Sequence, residues 1–554
     1  MMTSSEGLIK AYSRHGWWAE STLHGLAAAH AARTPQLEAL VDPVNRPKLT
    51  GEAPARLTWS ALHDKVLAFA AALHRNGVGP GDVVVAQLPN THEAAVMLLA
   101  CGHLGAVLSP IALQFRASEI GRVVEATRAR VFVTLGRVRE FEHAAYARAH
   151  VPAQVRVLGL GPALPDGVAP LLDGDAPADA PPARSGANDI VTVCWTSGTE
   201  ARPKGVPRSH NHWLAIARTK PQQRADEVYL CAFPLVAMAS IGGQLVPWLH
   251  GGGRFVLHHP FDLDLYLEQI RSERVTYTSA PPAILLRVLD ARPAAADLAS
   301  LAAIGTGSAP LAPDMLAAFE DGYGIEIHNN FGSNEGCSIY ARRAEIADAR
   351  VRATHFPAAS WRPAAAPYDG SAIESRLVDP ATGADVQDFG VAGELLIRGP
   401  TVFDGYWGDD GRPDRRGFDA DGYFRTGDSL ERVRADGAPM YRFVARLKEV
   451  IVRGGMKISP AELEEHLVSH PRLVEAACIG YPDPILGERV AAFVVARDGK
   501  PVELDAVTAF LRERGVATYK LPEKVRNVAA LLRNPNNKVV RADLRRFLDE
   551  TNPG

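Results

Sequence analysis

The sequence predicts an α/β protein in which parallel sheets are covered by helices. Three runs rich in β-forming residues, at 82–88, 129–135 and 189–195, alternate with segments rich in Ala and Leu. The segment 57–78 has apolar residues spaced three and four apart, which predicts an amphipathic helix. Alternation of strands and helices along a chain favours parallel sheets, because each crossover helix covers a face of the sheet.

The remaining segments predict how the chain divides. Residues 161–188 are rich in Pro, Ala, Gly and Asp, which is typical of a surface linker. From about Ile373 the strands become shorter and Gly/Asp turns separate them, which predicts a β-rich subdomain. The segment after about Lys448 has helices and strands of its own. We therefore expect a large N-terminal domain of parallel α/β subdomains plus a β-rich subdomain, followed by a small α+β C-terminal domain.

Composition excludes several classes of protein. A chain of 554 residues is too long for one core and predicts two or three domains. The net charge of −3 provides no field that would recruit nucleic acid or an acidic membrane. Five cysteines without a CxxC pair argue against a disulfide framework or a zinc site. No apolar run has the length of a signal or membrane segment, so we expect a soluble, cytoplasmic protein with no membrane or nucleic-acid partner.

A strand at 191–195 is followed by a loop rich in hydroxyls, in the stretch VTVCWTSGTEARPKGVPRSH at 191–210. Pro203 and Gly205 replace the second glycine and the metal-binding hydroxyl of a Walker loop, so a standard phosphate loop is not predicted. A cation and several small residues remain that suit contact with a polyphosphate, namely Lys204, Thr196, Ser197, Gly198 and Thr199. Taken alone, a Gly/Ser turn after a buried strand explains the stretch equally well.

The segment TSGTEARPKG at 196–205 resembles the phosphate loop of the acyl-adenylate-forming (AMP-binding) superfamily. That superfamily includes acyl-CoA synthetases, adenylation domains of nonribosomal peptide synthetases, and luciferases. Its usual loop is Thr-Ser-Gly-Thr-Thr-Gly-x-Pro-Lys-Gly, so this chain departs from the pattern at Glu200 and Ala201. The resemblance implies that the loop holds the phosphates of ATP, and the extra carboxylate leaves the path of the loop open.

Two further stretches match the same family in the same order. NNFGSNEG at 329–336 resembles its aromatic-Gly-x-Thr-Glu motif, which implies Glu335 as the Mg²⁺ ligand and Phe331 against adenine. Asn334 stands at the usual Thr position. The other members of this motif that we expect to contact the nucleotide are Asn330, Gly332 and Ser333. GTGSAPL at 305–311 resembles the loop that runs past adenine and the acyl group, with contacts implied for Gly307, Ser308 and Ala309.

The C-terminal part carries the motifs that the family uses for ribose and for domain movement. FRTGD at 424–428 implies that Asp428 accepts hydrogen bonds from both ribose hydroxyls. The stretch at 446–464, RLKEVIVRGGMKISPAELE, is the most specific match and places Arg446 at the ribose and Lys448 at the hinge. Its two glycines would line the channel of the pantetheine thiol, namely Gly454 and Gly455.

The last motif contains the lysine that the family brings to the reacting atoms. In RNPNNKVVRADLRRFL, at 533–548, Lys538 matches this mobile lysine, and Asn537 replaces the glycine that usually precedes it. The resemblance implies an adenylation domain at 1–447 for ATP and the acyl group, and a mobile lid at 448–554. Lys538 would assist attack of a carboxylate on the α-phosphate, and rotation about the hinge would then allow thioester formation with CoA.

The acyl pocket is predicted from CAFPLVAMASIGG at 231–243. Many relatives carry a gating His where Ala237 stands, and Met238 replaces the Asn or Asp that pairs with phenol or ammonium groups. With Gly307 on another wall, this implies an apolar acid: a simple aromatic, alicyclic or short-to-medium aliphatic one. The expected cofactors are ATP, Mg²⁺ and CoA, and the alternative acceptor is the phosphopantetheine of a separate carrier protein.

Two rival classes remain at this stage. One is a light-emitting or purely binding relative without thioester chemistry, which retention of Lys538, Lys448, Glu335 and Asp428 argues against. The other is an unrelated α/β kinase, which the missing Walker hydroxyl and the absence of kinase motifs argue against. The sequence leaves the oligomeric state open, a homodimer included.

Overall fold

A computed structural model describes residues 2–162, 164–172, 180–196, 203–220, 223–307, 311–358, 370–408, 412–454, 456–534 and 538–548. The strands up to residue 341 are β1 (Glu38–Val41), β2 (Arg56–Thr58), β3 (Val83–Gln87), β4 (Val107–Pro110), β5 (Val131–Leu135), β6 (Arg156–Leu160), β7 (Ala169–Pro170), β8 (Ile190–Trp195), β9 (Gly205–Ser209), β10 (Val228–Cys231), β11 (Arg254–Leu257), β12 (Tyr277–Ser279), β13 (Ala303–Gly307), β14 (Glu326–Gly332) and β15 (Ser338–Ala341). The later strands are β16 (His355–Pro357), β17 (Glu374–Val378), β18 (Ala392–Arg398), β19 (Tyr406–Trp407), β20 (Pro413–Asp414), β21 (Phe424–Ala435), β22 (Ala438–Arg446), β23 (Ile451–Arg453), β24 (Met456–Ile458), β25 (Leu473–Asp483), β26 (Gly487–Ala496) and β27 (Lys524–Asn527).

Helices precede or connect most of these strands. They are α1 (Glu6–Arg14), α2 (Leu23–Arg33), α3 (Arg46–Thr50), α4 (Trp59–Arg75), α5 (His92–Leu104), α6 (Ala117–Thr127), α7 (His143–His150), α8 (His210–Arg218), α9 (Val246–Gly251), α10 (Leu263–Ser272), α11 (Pro282–Ala291), α12 (Ala295–Leu298), α13 (Pro313–Tyr323), α14 (Ala349–Arg352), α15 (Pro460–Leu467), α16 (Leu504–Glu513) and α17 (Arg541–Arg546). A π-helical turn spans Ile241–Leu245 and a 3₁₀ turn spans Thr518–Lys520. Among the described residues, no helix is both long and apolar enough to cross a membrane.

Four larger sheets organise the chain. Sheet I has the order β7-β6-β5-β3-β4-β8-β9, and sheet II has the order β15-β14-β13-β12-β10-β11-β1-β2. Both are parallel in their interiors and end in antiparallel pairs, β8–β9 in sheet I and β1–β2 and β14–β15 in sheet II. Sheet III is antiparallel, β16-β22-β21-β18-β17, and sheet IV is β24-β23-β26-β25 with β27 parallel to β26. The predicted α/β class is therefore confirmed.

The parallel sheets are buried because their strands are apolar on both faces. Every residue of β3, β5 and β8 is buried, as expected where helices cover both sides of a sheet. One cluster of buried side chains includes Val84 of sheet I, Phe255 of sheet II and Phe69 of α4, so these two sheets share a core. The predicted helix at 57–78 is α4, which begins where the Thr58 hydroxyl accepts a hydrogen bond from the Ala61 N–H at 3.2 Å.

The predicted linker at 161–188 is only partly a linker. Ala169 and Pro170 form β7, which pairs with β6 as the edge strand of sheet I. A proline is compatible with this position because an edge strand leaves one side without ladder hydrogen bonds. Proline is typical of loops but also fits an edge strand, so the Pro-rich composition did not indicate this short strand.

Candidate active site

The predicted phosphate loop is closed at its base by two backbone contacts. The Thr196 N–H donates to the Lys204 carbonyl at 3.0 Å, and the Lys204 N–H donates to the Thr196 hydroxyl at 3.3 Å. These residues follow β8 and precede β9, so the antiparallel hairpin determines where the loop leaves and re-enters sheet I. Ser197, Gly198 and Thr199 lie outside the described residues.

Asn334 connects three segments of the site. Its side-chain oxygen accepts a hydrogen bond from the Met238 N–H at 2.8 Å, and its side-chain nitrogen donates to the Trp195 carbonyl at 3.4 Å. Its own carbonyl accepts from the Arg208 guanidinium at 2.8 Å. A single amide thus links the end of β8, the predicted acyl wall and the β14–β15 turn. Ser333 closes that turn by donating its N–H to the Cys337 carbonyl at 3.0 Å.

Arg208 is fully buried and supports this junction from beneath. Besides Asn334, its guanidinium donates to the Thr401 carbonyl at 2.6 Å. Burial lowers the pKa of Arg208 to about 10, while Glu335 and Asp404 act in the opposite direction, so the group stays cationic at neutral pH. Gly336 makes this packing possible, because its φ is +113° and a Cβ there would lie 2.0 Å from the Thr401 carbonyl oxygen.

Glu335 points to the same region as the phosphate-loop lysine. The Tyr406 hydroxyl donates to its Oε1 at 2.9 Å, and the Phe403 N–H donates to its carbonyl at 2.9 Å. The Lys204 Nζ lies 5.1 Å from the centre of the Tyr406 ring. Tyr406 therefore stands between the predicted metal ligand and the predicted phosphate contact.

Asp428 and Arg446 face each other across sheet III. They are register partners on β21 and β22, and the Arg446 Nε lies 2.7 Å from the Asp428 Oδ1. The aspartate is 4% exposed. Burial raises the pKa of Asp428 to about 6, although Arg446 and Lys538 act to lower it, and Glu335 adds to the rise.

Lys538 comes from the C-terminal part of the chain and faces this group. Burial and Arg446 lower the pKa of its ammonium, whereas Glu335, Asp428 and Glu449 oppose that change. The backbone around it is held by the Asn534 side chain, which accepts a hydrogen bond from the Lys538 N–H at 3.0 Å. The structure thus brings Glu335, Asp428, Arg446 and Lys538 to one place.

Around Lys448 the chain passes from sheet III to sheet IV. The Leu447 N–H donates to the Gly427 carbonyl at 2.9 Å, and the Glu449 N–H donates to the Arg446 carbonyl at 2.9 Å. Arg541 of α17 then binds the Glu449 carboxylate at 2.8 Å and the Glu464 carboxylate at 2.6 Å.

Gly454 is not brought to the Lys538 group. It lies in the β23–β24 turn with φ +55°, and its N–H donates to the Leu486 carbonyl at 2.7 Å. Among the described residues, only a Leu486 atom would lie within 4 Å of a Cβ at this glycine. Gly455 lies outside the described residues, as do Ser308 and Ala309.

The predicted adenine and acyl residues lie at the ends of β13 and β14. Gly307 packs so closely on β14 that a Cβ would be 2.1 Å from the Asn330 carbonyl oxygen. Phe331 contacts Phe356 and Phe443, with ring centres 5.6 and 6.0 Å away. A Cβ at Gly332 would lie 3.3 Å from the Cys337 carbonyl oxygen.

The predicted acyl wall follows β10. Ala237 is buried, and the Met238 sulfur packs over Gly242, where a Cβ would approach it to 2.5 Å. The same Cβ would lie 2.9 Å from the Trp213 ring, so the absence of a side chain at Gly242 lets the thioether and the indole meet.

Three supporting residues were not anticipated from the sequence: Arg208, Tyr406 and Arg541. Each acts through partners more than 60 residues away in sequence, respectively Asn334, Glu335 and Glu464. The sequence carries no local signal for such partners, because the local sequence around a buried arginine does not differ from that around an exposed one.

The three N-terminal sheets and the convergence of Lys538 with Glu335 and Asp428 define an adenylate-forming enzyme. The sequence model described as AMP-binding enzyme matches residues 27–407, and the one described as AMP-binding enzyme C-terminal domain matches residues 462–538. The chain belongs to the AMP-binding enzyme family.

Relatives are similar over nearly their whole length. The chain is 33% identical to a 2-hydroxy-7-methoxy-5-methyl-1-naphthoate–CoA ligase of Streptomyces carzinostaticus, over 96% of this chain and 94% of the relative. It is 31% identical to a feruloyl-CoA synthase of Amycolatopsis sp, over 91% and 98%. The crystal structure of ATP-bound MatB from Rhodopseudomonas palustris superimposes with a TM-score of 0.74 at 26% identity, covering 95% of this chain and 99% of that one. The predicted reaction class, an AMP-forming acid–thiol ligase, is confirmed.

Proposed function

We propose that this enzyme activates an aromatic carboxylic acid with ATP and transfers the acyl group to CoA. The aromatic class is supported by the two curated relatives, whose names specify a naphthoate and ferulate and CoA as the acceptor. The observation that carries the proposal is the position of Lys538 beside Glu335 and Asp428.

In the first step a carboxylate oxygen of the acid bonds to the α-phosphorus of ATP, and the bond from that phosphorus to the β-phosphate oxygen breaks. Acyl-AMP and pyrophosphate result, without covalent participation of the protein. The Lys538 ammonium neutralises charge on the attacking carboxylate and the α-phosphate, and Lys204 with the Thr196 loop holds the departing phosphates. Such positioning and charge neutralisation account for most of the catalysis in phosphoryl transfer.

The residues present fit a Mg²⁺ ion next to the phosphates. Tyr406 occupies Oε1 of Glu335 and the carboxylate offers Oε2 as a hard oxygen ligand. One carboxylate together with phosphate oxygens is a usual ligand set for this ion. Bound there, the ion supplies positive charge that stabilises the phosphates.

The nucleoside contacts follow from the same arrangement. The Asp428 carboxylate accepts hydrogen bonds from the ribose hydroxyls, and Arg446 keeps that carboxylate ionised at a distance of 2.7 Å. Phe331 and the strand end at Gly307 provide the surface for adenine.

The second step joins the acyl group to a thiol. The sulfur of CoA attacks the acyl carbonyl, AMP leaves with the electron pair of the broken C–O bond, and the thiol proton passes to solvent. We infer that the segment 448–554 rotates about Lys448 for this step, so that the glycine motif at 454–455 replaces Lys538 at the pocket. In agreement with this, no atom of the Lys538 group lies within 4 Å of the Cβ position at Gly454.

The decisive experiment combines the enzyme with ATP, Mg²⁺ and a panel of aromatic acids, with and without CoA, and identifies products by mass spectrometry. We expect AMP and pyrophosphate with the acid, and acyl-CoA only when CoA is added. A phosphopantetheinylated carrier protein in place of CoA tests the alternative acceptor. Release of ADP, or no acid-dependent AMP with any acid, would contradict the proposal.

A further inference from the structure

One face of sheet II carries a line of polar side chains. Ile304 and Ile327 point to the opposite face, where they belong to the core formed with α10, α11 and α13. Since side chains alternate along a strand, the other face bears a different set of residues, namely Tyr277, Ser279, Ala303, Gly305, Gly307, Glu326, His328, Asn330, Ser338 and Tyr340. Of these, Glu326 and His328 pair with each other, with 3.2 Å between the carboxylate and the imidazole. A sheet face at a shared core is expected to be apolar, so these hydroxyls and the amide require an explanation.

Gly305 is at the centre of this polar face. A Cβ at this position would lie 2.4 Å from the Tyr277 hydroxyl, 2.8 Å from the Ser279 hydroxyl and 3.0 Å from the Asn330 side-chain nitrogen. Three polar groups from β12 and β14 therefore converge over a residue that has no side chain. The glycine is required because these three groups already occupy the position that a Cβ would take.

A cation lies next to this polar group, in the segment that follows α8. The Lys220 Nζ lies 4.5 Å from the centre of the Tyr340 ring and 5.8 Å from that of Tyr277. It hydrogen-bonds with the Tyr340 hydroxyl, which also accepts from the Ser338 hydroxyl at 2.5 Å. Burial would lower the pKa of Lys220, but the phenol oxygens of Tyr277 and Tyr340 outweigh burial and raise it, so the ammonium is charged.

The ammonium has no carboxylate partner in the part of the chain that the structure describes. The ionisable neighbours that act on it are Tyr277, Tyr340 and Arg342, of which the last is also a cation. A partly buried cation next to another cation is unfavourable unless an oxygen acceptor approaches it.

Asn330 has a hydrogen-bond acceptor that lacks a donor. Its side-chain oxygen is buried and accepts no hydrogen bond from the described residues. Asn330 and Tyr340 are register partners on β14 and β15, so their side chains are neighbours on this face. An acceptor without a donor and an ammonium without a counter-charge thus lie on either side of one tyrosine.

The polar face adjoins the predicted acyl wall. Met238 and Tyr277 pack against the same buried core, and Asn334, four residues after Asn330, holds the Met238 backbone. The Trp213 ring of α8 and the Met238 sulfur both lie against Gly242. Lys220 follows the end of the same helix. An acid in this pocket would lie with its body against the thioether and one end at Lys220.

We propose that Lys220 and Asn330 bind a hydroxyl group on the acid substrate, at the end remote from its carboxylate. The hydroxyl oxygen accepts from the Lys220 ammonium, and its hydrogen is donated to the Asn330 oxygen. A second carboxylate cannot donate to that oxygen, a protonated amine cannot accept from the ammonium, and the delocalised lone pair of an aromatic amine is a poor acceptor. A hydroxyl therefore satisfies both groups best. The inference rests on the proposed function and refines the apolar acid predicted from Met238 to a hydroxylated one with an apolar body.

The test measures kcat/KM for acid-dependent ATP–pyrophosphate exchange with pairs of acids that differ by one hydroxyl: 4-hydroxybenzoate and benzoate, 4-coumarate and cinnamate, 6-hydroxy-2-naphthoate and 2-naphthoate. We expect the hydroxylated member of at least one pair to be preferred by about 100-fold or more, because unpaired polar groups in the pocket reject the other. Equal use of both members in every pair, or preference for terephthalate or 4-aminobenzoate over 4-hydroxybenzoate, would overturn the assignment.

The variant Lys220→Met assigns the discrimination to this site. It should reduce the preference for the hydroxylated acid to below about tenfold, and Lys220→Arg, which restores a donor, should recover part of it. The exposed Lys10 on α1 provides the matched control Lys10→Met, which should keep the full preference. An unchanged preference in Lys220→Met overturns the role of Lys220. If Lys220→Met does not fold, the paired acids with the native chain still decide. Absence of exchange with every acid would instead refute the proposed function.

Discussion

Asp428 shows how a single buried side chain can be set for its task by its neighbours. The carboxylate is almost fully buried, and burial alone would favour its neutral form. Arg446 on the facing strand and Lys538 from the C-terminal segment oppose that effect, and the resulting pKa is about 6. The group is thus ionised at neutral pH by a small margin.

This margin predicts a pH dependence of ATP use. A raised pKa means that the group is protonated below about pH 6, where it can no longer accept two hydrogen bonds from ribose. We expect kcat/KM for ATP in adenylate formation to fall as the pH drops through about 6. Asp428→Asn should lower kcat/KM at pH 8 by about 10- to 100-fold and remove this acid limb.

The control for this experiment is Asp264→Asn, since Asp264 is an exposed residue in the first turn of α10. That variant should keep both the activity and the acid limb. An acid limb that persists in Asp428→Asn would assign the titration to another group.

At the scale of secondary structure, helices and strands with a regular apolar pattern could be predicted from the sequence, and elements without such a pattern could not. The helix at 57–78 and the strands at 82–88, 129–135 and 189–195 appear as α4, β3, β5 and β8, with ends within three residues of the prediction. Their patterns persist over enough residues to determine period and length. The short strand β7 and the π-helical turn at Ile241–Leu245 have no such pattern.

The site divides in the same way. Motif residues such as Glu335, Asp428 and Lys538 were located from the sequence, because their spacing within short stretches is distinctive. The contacts of Arg208 and the polar face around Lys220 were not, because they depend on which strands pair. The register between distant strands is a tertiary property, and the local sequence around Lys220 or Asn330 does not predict it.

The short connection between β22 and β23 is the element in which we expect movement. The hydrogen bond from the Glu449 N–H to the Arg446 carbonyl spans Lys448 in the observed state, and it must change if the segment rotates about Lys448. Lys448→Pro fixes φ near −65° and resists such a change. We expect thioester formation from added acyl-AMP to fall at least tenfold more than adenylate formation.

Lys448→Ala is the matched control, since it removes the side chain and leaves φ free; it should affect the two half-reactions within a few-fold of each other. Rapid-quench assays of each half-reaction provide the comparison. Equal losses in Lys448→Pro would mean that rotation at this residue is not required.

At the scale of the whole molecule, none of the apolar clusters among the described residues joins the C-terminal segment to the rest of the chain. Arg497 of the β26 end pairs with Asp290 of α11 at an exposed position, and Lys538 faces the group around Asp428. Exposed ion pairs contribute little to stability, because water screens them. An interface of this kind permits one body to leave another without the loss of a large apolar area.

Under the proposed mechanism this arrangement is the one for the first half-reaction, and Lys538 should matter for that half alone. Lys538→Ala removes the only charge that the C-terminal segment is proposed to bring to the α-phosphate, so adenylate formation should fall by about 10²- to 10³-fold. Thioester formation from added acyl-AMP should remain near the native rate, because the proposed rotation carries this residue away from the pocket. Lys538→Arg, which keeps a charge with different geometry, should recover part of the first step. If both half-reactions decline together, Lys538 stabilises the fold or the shared pocket rather than the attacking carboxylate, and the two-state account of the C-terminal segment fails with it.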